Sequence, residues 1–178
     1  MSRSHTSNAP ESRCSQHREI SYVWARRPAG KSSIEAAVDA LMAAITTPGR
    51  RWNPYNQEMA RAEFKGRLED AERGILIPVE HVKELTRGRA AHLYEIRWQA
   101  INVTEVDARG RVRHSKTRAR LQHAEPLAYP DIAVGVHAHE KIVVKGDDKA
   151  TNKLQDAEIA KGVDEYFTQD PSDWVTSS

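Results

Sequence analysis

The stretch "LYEIRWQAINV" (residues 93–103) decides the fold class, because its apolar side chains recur at every second position. These apolar positions are Tyr94, Ile96, Trp98 and Ala100. Such alternation is typical of a strand with one buried face. The turn-like "DARG" (107–110) follows and predicts a hairpin. The returning strand is predicted over 117–126, and a further strand over 131–141.

Helical patterns precede this stretch. A stripe of apolar residues at spacings of four, three and four is carried by Ile34, Val38, Leu41 and Ile45. A second helix is predicted over 53–74, where Asn53 can cap the first turn and Pro54 lacks only an N–H that would be unpaired anyway. Because the connector is short, the two helices are predicted to form an antiparallel hairpin.

The remaining segments complete an α+β layout. We predict a short strand over 20–25, one or two helical turns over 79–88, and a last helix over 153–167. The core-facing residues of that last helix are predicted to be Ile159, Val163, Tyr166 and Phe167. The expected fold is an N-terminal helical hairpin packed on a small antiparallel β-sheet with a C-terminal helix.

The length of 178 residues favours one domain. Residues 1–19 have almost nothing to bury and are predicted to be a disordered arm. The domain is predicted over 20–168, and a flexible tail over 169–178. The only cysteine, Cys14, lies in the arm, which excludes a disulfide within the chain and argues against an activated thiol.

The sequence favours a cytoplasmic protein with no membrane partner. Its apolar runs fall short of the roughly 20 residues that span a bilayer. The first residues also lack the charged-then-apolar pattern of a secretory signal.

Positive charge is concentrated, although the formal net charge is only +2. The stretch "RGRVRHSKTRAR" (109–120) contains many cations and no acid. The candidate RNA-binding residues are Arg109, Arg111, Arg113, Lys116 and Arg118. This density favours contact with a phosphate backbone. The plainer interpretation is a solvated strand face.

The stretch "VGVHAHEKIVVKG" (134–146) carries two histidines and a lysine at alternate positions. A strand would place His137, His139 and Lys141 on one face, and Val134, Val136 and Ala138 on the other. Two imidazoles can bind a metal if a third ligand joins them, but the nearest acid, Glu140, is predicted on the opposite face. We therefore expect neither a metal nor another cofactor. Hydrogen-bonded histidines on a polar face are the plainer interpretation.

Cations on neighbouring strands suggest a chemistry for these histidines. The candidate catalytic residues are His137, His139, Lys141, Arg97 and Arg120. Guanidinium and ammonium groups bind phosphate oxygens and stabilise the charge that develops when a ribose 2′-OH attacks phosphorus. An imidazole can accept or return the proton. The set is suited to acting on RNA.

Four segments, in this order, resemble the RelE/HigB-like toxins of bacterial type II toxin–antitoxin systems. "VKELTRGRAAHLYEIRW" resembles the segment that leads into the central strands of the family. "ARLQHAEP" and "VGVHAHEK" resemble the next two strands, and "ATNKLQDAEIAKGVDEYF" resembles the closing helix. The resemblance covers roughly residues 79–167.

The resemblance implies a compact antiparallel sheet with helices on one side. It also implies a metal-free site on the sheet face and cleavage of mRNA, often on the ribosome, with mRNA, the ribosome and a cognate antitoxin as partners. The chain departs from the family in its extended 104–119 segment and in Tyr166, which lies near the end of the last helix. Two alternatives stay open: a ParE-like module that binds nucleic acid or gyrase without catalysis, and a His-x-His metal enzyme.

Overall fold

The computed structural model describes residues 11–85 and 92–175, and over these ranges the chain is a mixed α+β fold. The strands are β1 (Ser21–Trp24), β2 (Arg50–Arg51), β3 (Val82–Glu84), β4 (Leu93–Val106), β5 (Val112–Ala124) and β6 (Ile132–Glu140). The α-helices are α1 (Ser33–Ile45), α2 (Pro54–Glu72), α3 (Asp148–Thr168) and α4 (Ser172–Val175). The strands form one sheet in the order β1-β6-β5-β4-β2, and β3 also pairs with β4.

The sheet is mixed rather than antiparallel. The three long strands pair antiparallel with one another, β4 with β5 and β5 with β6, as predicted. However, β1 runs parallel to β6, with Ser21 opposite Ile132. Helices α1 and α2 pack on one face, where Phe64 meets Trp98 edge to face at 5.2 Å. Helices α3 and α4 pack on the other, so the expectation of helices on one side is wrong.

An extra residue in β4 changes which side chains enter the core. Trp98 lies opposite Ala119 and Ile101 lies opposite Thr117, so β4 uses one residue more than β5. Trp98 and Ile101 are both buried with α1 and α2, whereas Ala100 is exposed. The prediction of a buried Ala100 is wrong, because a bulge reverses the alternation beyond it.

A second bulge lies in β6. Gln122 lies opposite His137, while the next residue, His123, lies opposite Gly135. Val136 is therefore the extra residue on β6.

This bulge changes the faces predicted for β6. Val134 and Val136 pack in the cluster beneath α3, but Ala138 packs with the core on the α1 side. The predicted common face of these three residues is wrong. His137 and His139 do share a face, and they lie on the α3 side of the sheet.

Two predicted helical segments differ from the structure. The segment predicted as helical turns over 79–88 contains β3 instead, because Val82 pairs with Ile96 of β4; residues 86–88 lie outside the described ranges. Helix α3 begins earlier than predicted, because the Asp147 side chain accepts a hydrogen bond from the Ala150 N–H. Phe167 is 67% exposed, so its predicted place in the core is wrong.

The predicted disordered arm is wrong for residues 11–19, and residues 1–10 lie outside the described ranges. Arg13–Ser15 form a 3₁₀ turn, and Cys14 is fully buried. The Glu125 carboxylate accepts hydrogen bonds from the Ser12 hydroxyl (2.5 Å) and the Arg13 N–H (2.9 Å). The segment has few apolar residues, but a buried acid from another part of the chain satisfies its polar groups.

The predicted flexible tail is wrong for residues 169–175, and 176–178 lie outside the described ranges. Trp174 is buried and packs against Tyr129 and Tyr166, with ring centroids 5.6 and 5.9 Å away. In the described part of the chain, no helix combines the length and apolar character needed to cross a bilayer.

Gly135 should tolerate no side chain at the β6 bulge. A Cβ there would overlap the Tyr22 hydroxyl and lie 2.7 Å from Trp24 Cε3. We expect Gly135→Ala to lower the free energy of unfolding by about 1–3 kcal/mol, measured by urea denaturation. The matched control is Gly66→Ala in α2, where a Cβ meets nothing within 4 Å. That variant should gain about 0.5–1 kcal/mol, and equal effects of the two substitutions would contradict the packing argument.

Candidate functional site

Strand register brings the predicted catalytic residues to one face of the sheet. Arg97 of β4 lies opposite Arg120 of β5, which lies opposite His139 of β6. Lys141 follows β6, and its N–H donates a hydrogen bond to the carbonyl of Arg118 at 2.8 Å. The pairing of the strands therefore confirms the prediction that these cations and histidines share one face of the sheet.

A small cleft opens on this face between β3, β4, β6 and α3. Its volume is about 110 Å³. It is lined by Lys83, Glu84, Leu85, Glu95, Arg97, His139, Gln155 and Ile159. Pockets that enclose a whole small molecule are about 300 Å³ or larger. The cleft therefore has room for a single phosphate group but not for a complete nucleotide.

Glu95 fixes the two arginines in this row. Its Oε1 lies 3.2 Å from the Nε of Arg97 and 3.2 Å from the Nε of Arg120. Arg97 also donates from Nη1 to the Val79 carbonyl, 3.0 Å away. Its guanidinium is thereby held at the cleft.

Arg120 is buried, with only 1% of the residue exposed. Its Nη1 donates to the carbonyls of Trp98 (2.9 Å) and Ala119 (2.8 Å), and its Nη2 donates to Gln99 Oε1 (3.1 Å). Burial lowers the pKa of Arg120 to about 10, although Glu95 opposes the shift. These contacts correct the predicted role in phosphate binding, because the donors already hold the bulge of β4.

The two strand histidines meet an acid from α3. The rings of His137 and His139 stack, with centroids 5.4 Å apart and planes 12° apart. His137 Nε2 lies 2.6 Å from Glu158 Oε2, and Lys161 Nζ donates to Glu158 Oε1 at 2.7 Å. His137, His139 and Glu158 each offer one ligand atom, and these atoms lie within 4.8 Å of one another.

Close packing of α3 on β5 positions Glu158. The Gln122 amide Nε2 donates to the Glu158 carbonyl at 3.0 Å. Gly162 allows this approach, because a Cβ there would lie 2.9 Å from the Gln122 side-chain Cδ and overlap its amide oxygen.

The electrostatics of the face follow from burial and crowded cations. Burial, followed by His137, lowers the pKa of His139 to about 4. Burial, followed by Arg120, lowers the pKa of Lys141. Burial disfavours the Glu158 carboxylate, but hydrogen bonds from Lys161 and His137 outweigh it and lower the pKa of Glu158. Near neutral pH the His139 imidazole is therefore uncharged and Glu158 is a carboxylate.

The predicted RNA-binding residues lie on the β4–β5 hairpin, and all are exposed: Arg109, Arg111, Arg113, Lys116 and Arg118. Acids of the partner strand and the turn offset part of their charge. Arg111 pairs with Asp107 at 2.6 Å, and Arg113 pairs with Glu105 at 2.7 Å. Arg118, beside Lys141, extends the cationic row away from the cleft.

Sequence reasoning missed the acids of this face. Glu95 has the same strand parity as Arg97, and that was a usable signal. Glu158 lies on α3, so no spacing along β6 could predict that it meets His137. Lys83 was missed because its segment was predicted to be helical.

A second buried cluster joins the N-terminal segment to β5. Cys14 Sγ lies 3.6 Å from His123 Nε2, which lies 3.0 Å from Glu125 Oε1. The His123 ring stacks on Tyr94 at 5.6 Å. Burial opposes a charge on His123, but Cys14 and Glu125 together raise the pKa of His123 to about 10. Since Cys14 and His123 are fully buried, this cluster fixes the N-terminal segment rather than meeting a substrate.

The fold and this face define a mixed α+β protein with a small polar cleft on its sheet. No family model, curated protein or solved structure matches the chain.

The raised pKa of His123, caused by Cys14 and Glu125 against the effect of burial, predicts a pH dependence of stability. The pKa of His123 rises from 6.5 to about 10 on folding. The stabilisation of the folded state by protonated His123 is therefore complete below pH 6.5 and is lost as the pH rises through about 10. In that window the free energy of unfolding should fall by up to about 1.4 kcal/mol per pH unit. Urea denaturation at several pH values measures the slope. His123→Gln should flatten it, and an unchanged slope in that variant would contradict the assignment.

Proposed function

We propose that the protein is a metal-independent endoribonuclease of the RelE/HigB-like toxin type, which cleaves mRNA and so inhibits translation in the cytoplasm. One observation carries the proposal: register places Arg97 and His139 on one sheet face, at a cleft large enough for a phosphate group and next to Lys141 and Arg118. These are the groups that RNA cleavage without a metal requires.

Each residue has a part in the proposed reaction. Arg97 and Lys141 bind the non-bridging oxygens of the scissile phosphate and stabilise the charge that develops on them. His139 accepts the proton of the ribose 2′-OH as its oxygen attacks phosphorus. The bond to the 5′-oxygen breaks, and that oxygen leaves with a proton from solvent. The products are a 2′,3′-cyclic phosphate and a 5′-hydroxyl.

The order of elements supports the toxin-like interpretation. Apart from the short strands β2 and β3 and the short helix α4, the order along the chain is a strand, two helices that pack on each other, three long antiparallel strands and a last long helix. We propose that α1 and α2 form the helical hairpin of a RelE-like fold. The ribosome and a cognate antitoxin are the partners that go with this proposal.

Cleavage should depend on His139 and Lys141. In a purified translation system containing EDTA, with mRNA followed by primer extension, the wild type should cut at discrete positions. His139→Ala should slow cleavage by about 10²–10⁴-fold, because it removes the proton acceptor. Lys141→Ala should also slow it, whereas Lys145→Ala, in the exposed loop that follows, is the matched control and should have no effect.

Each contrary result has a defined meaning. Full activity of a folded His139→Ala variant would remove His139 from the mechanism. Intact mRNA and normal translation with the wild type would reject the nuclease and favour the second candidate. A gyrase supercoiling assay would then test the ParE-like form of that candidate.

The second candidate is a module that binds nucleic acid without cleaving it. The burial of Arg120 favours it, because one of the predicted phosphate ligands is unable to reach RNA. The exposed hairpin cations would then provide the binding surface.

RNA binding by the hairpin should depend steeply on salt. The logarithm of the affinity should fall linearly with the logarithm of salt concentration, with a slope of about −0.7 per neutralised phosphate of a single strand. Lys116→Ser with Arg118→Ser should make the slope shallower by about 1.4, measured by fluorescence anisotropy. Lys149→Ser, exposed in the first turn of α3, is the control. An identical slope for both would exclude the hairpin as the RNA contact.

A further inference from the structure

We propose that His137, His139 and Glu158 form a binding site for a first-row transition cation such as Zn²⁺. Two imidazoles and one carboxylate are a common ligand set for zinc in proteins. The three side chains come from two elements, β6 and α3, so the site depends on the packing of the fold. The proposal goes beyond the proposed nuclease activity and does not depend on it.

The geometry is close to that of a zinc site. The three ligand atoms lie within 4.8 Å of one another, and His137 Nε2 and Glu158 Oε2 are 2.6 Å apart. Bonds of about 2.0–2.2 Å at tetrahedral angles place ligand atoms roughly 3.3–3.5 Å apart. Side-chain movements on the order of 1 Å therefore suffice, and a water molecule can complete the coordination.

A buried unpaired nitrogen provides independent support. His139 is only 8% exposed, and its Nδ1 has no hydrogen-bond partner among the described residues. Buried polar groups are usually paired, so an unsatisfied nitrogen on the imidazole that stacks on His137 points to a missing partner. A metal ion would bring the two histidines and the acid into one set of bonds.

The buried group Cys14, His123 and Glu125 meets the same distance criterion but is a weaker candidate. The oxygens of Glu125 already accept hydrogen bonds from the Ser12 hydroxyl and the Arg13 N–H. In the β6–α3 group, the competing donor to Glu158 is Lys161, whose side chain is 61% exposed. Lys161 can move into solvent when an ion binds.

A cation at this site would tie α3 to β6 and use a lone pair of the His139 imidazole. Zn²⁺ should therefore suppress RNA cleavage, because the proton acceptor is occupied. This consequence, unlike the binding itself, rests on the proposed function.

Metal binding is tested on the full chain after removal of metals with EDTA. Zn²⁺ binding is measured by titration calorimetry. Co²⁺ binding is measured by its visible absorption band, which is intense when the ion has few ligands. We expect one saturable equivalent for the wild type. Glu158→Gln should weaken binding at least 10-fold and reduce the Co²⁺ band. His114→Gln, an exposed histidine on the β4–β5 hairpin, is the control and should bind like the wild type.

Two outcomes would overturn the site. One is the lack of a saturable equivalent in the wild type; the other is equal affinity in wild type and Glu158→Gln. Circular dichroism confirms that each variant is folded. Glu158→Gln still tests the site if a substitution of buried His139 disrupts the fold. Binding is measured without RNA and cleavage in EDTA, so failure of the metal site and failure of the nuclease are distinguishable.

Discussion

The extra residue Val136 in β6 is the constraint on which the candidate site depends. Without it, strict alternation would turn Val134 and Val136 away from the face that carries His137 and His139. The bulge instead lets one strand do two things on the same side of the sheet. Its first half buries valines beneath α3, and its second half presents imidazoles to the same helix. Burial of each valine contributes roughly 1.5–3 kcal/mol to the stability of the fold.

Cations on the sheet face are of two kinds, and burial separates them. Arg120 is desolvated and close to Glu95, and the desolvation of both charges offsets much of their attraction. Its contribution is to satisfy backbone carbonyls where β4 bulges. Arg97 and Lys141 keep contact with the cleft or solvent, and so remain able to meet an anion. Alternation in the sequence does not distinguish the buried cation from the two accessible ones.

The fold was predictable where local patterns agree with tertiary contacts. Alternation from residue 93 predicted β4, and the N-caps Asn53 and Ser32 mark the starts of α2 and α1. The bulges were not predictable, because an extra residue leaves the local composition unchanged while it reverses the faces. Within the site, alternation along each strand predicted that Arg97 and His139 lie on the polar faces of their strands. The place of Glu158 was not predictable, because its position depends on how closely Gly162 lets α3 approach Gln122.

The contacts of the N-terminal segment form late during synthesis on the ribosome, because its partners lie far along the chain. Arg13 meets Glu125 across a sequence separation of 112 residues, and β1 pairs with β6 over a similar distance. At synthesis rates of about 5–20 residues per second, the segment waits on the order of 6–20 seconds for its partners to emerge. During that time α1 and α2 can form, but the edge that β1 completes does not exist. Closure of the sheet by its first strand is therefore a late step, and contacts of such long range make folding slow compared with that of a helical bundle.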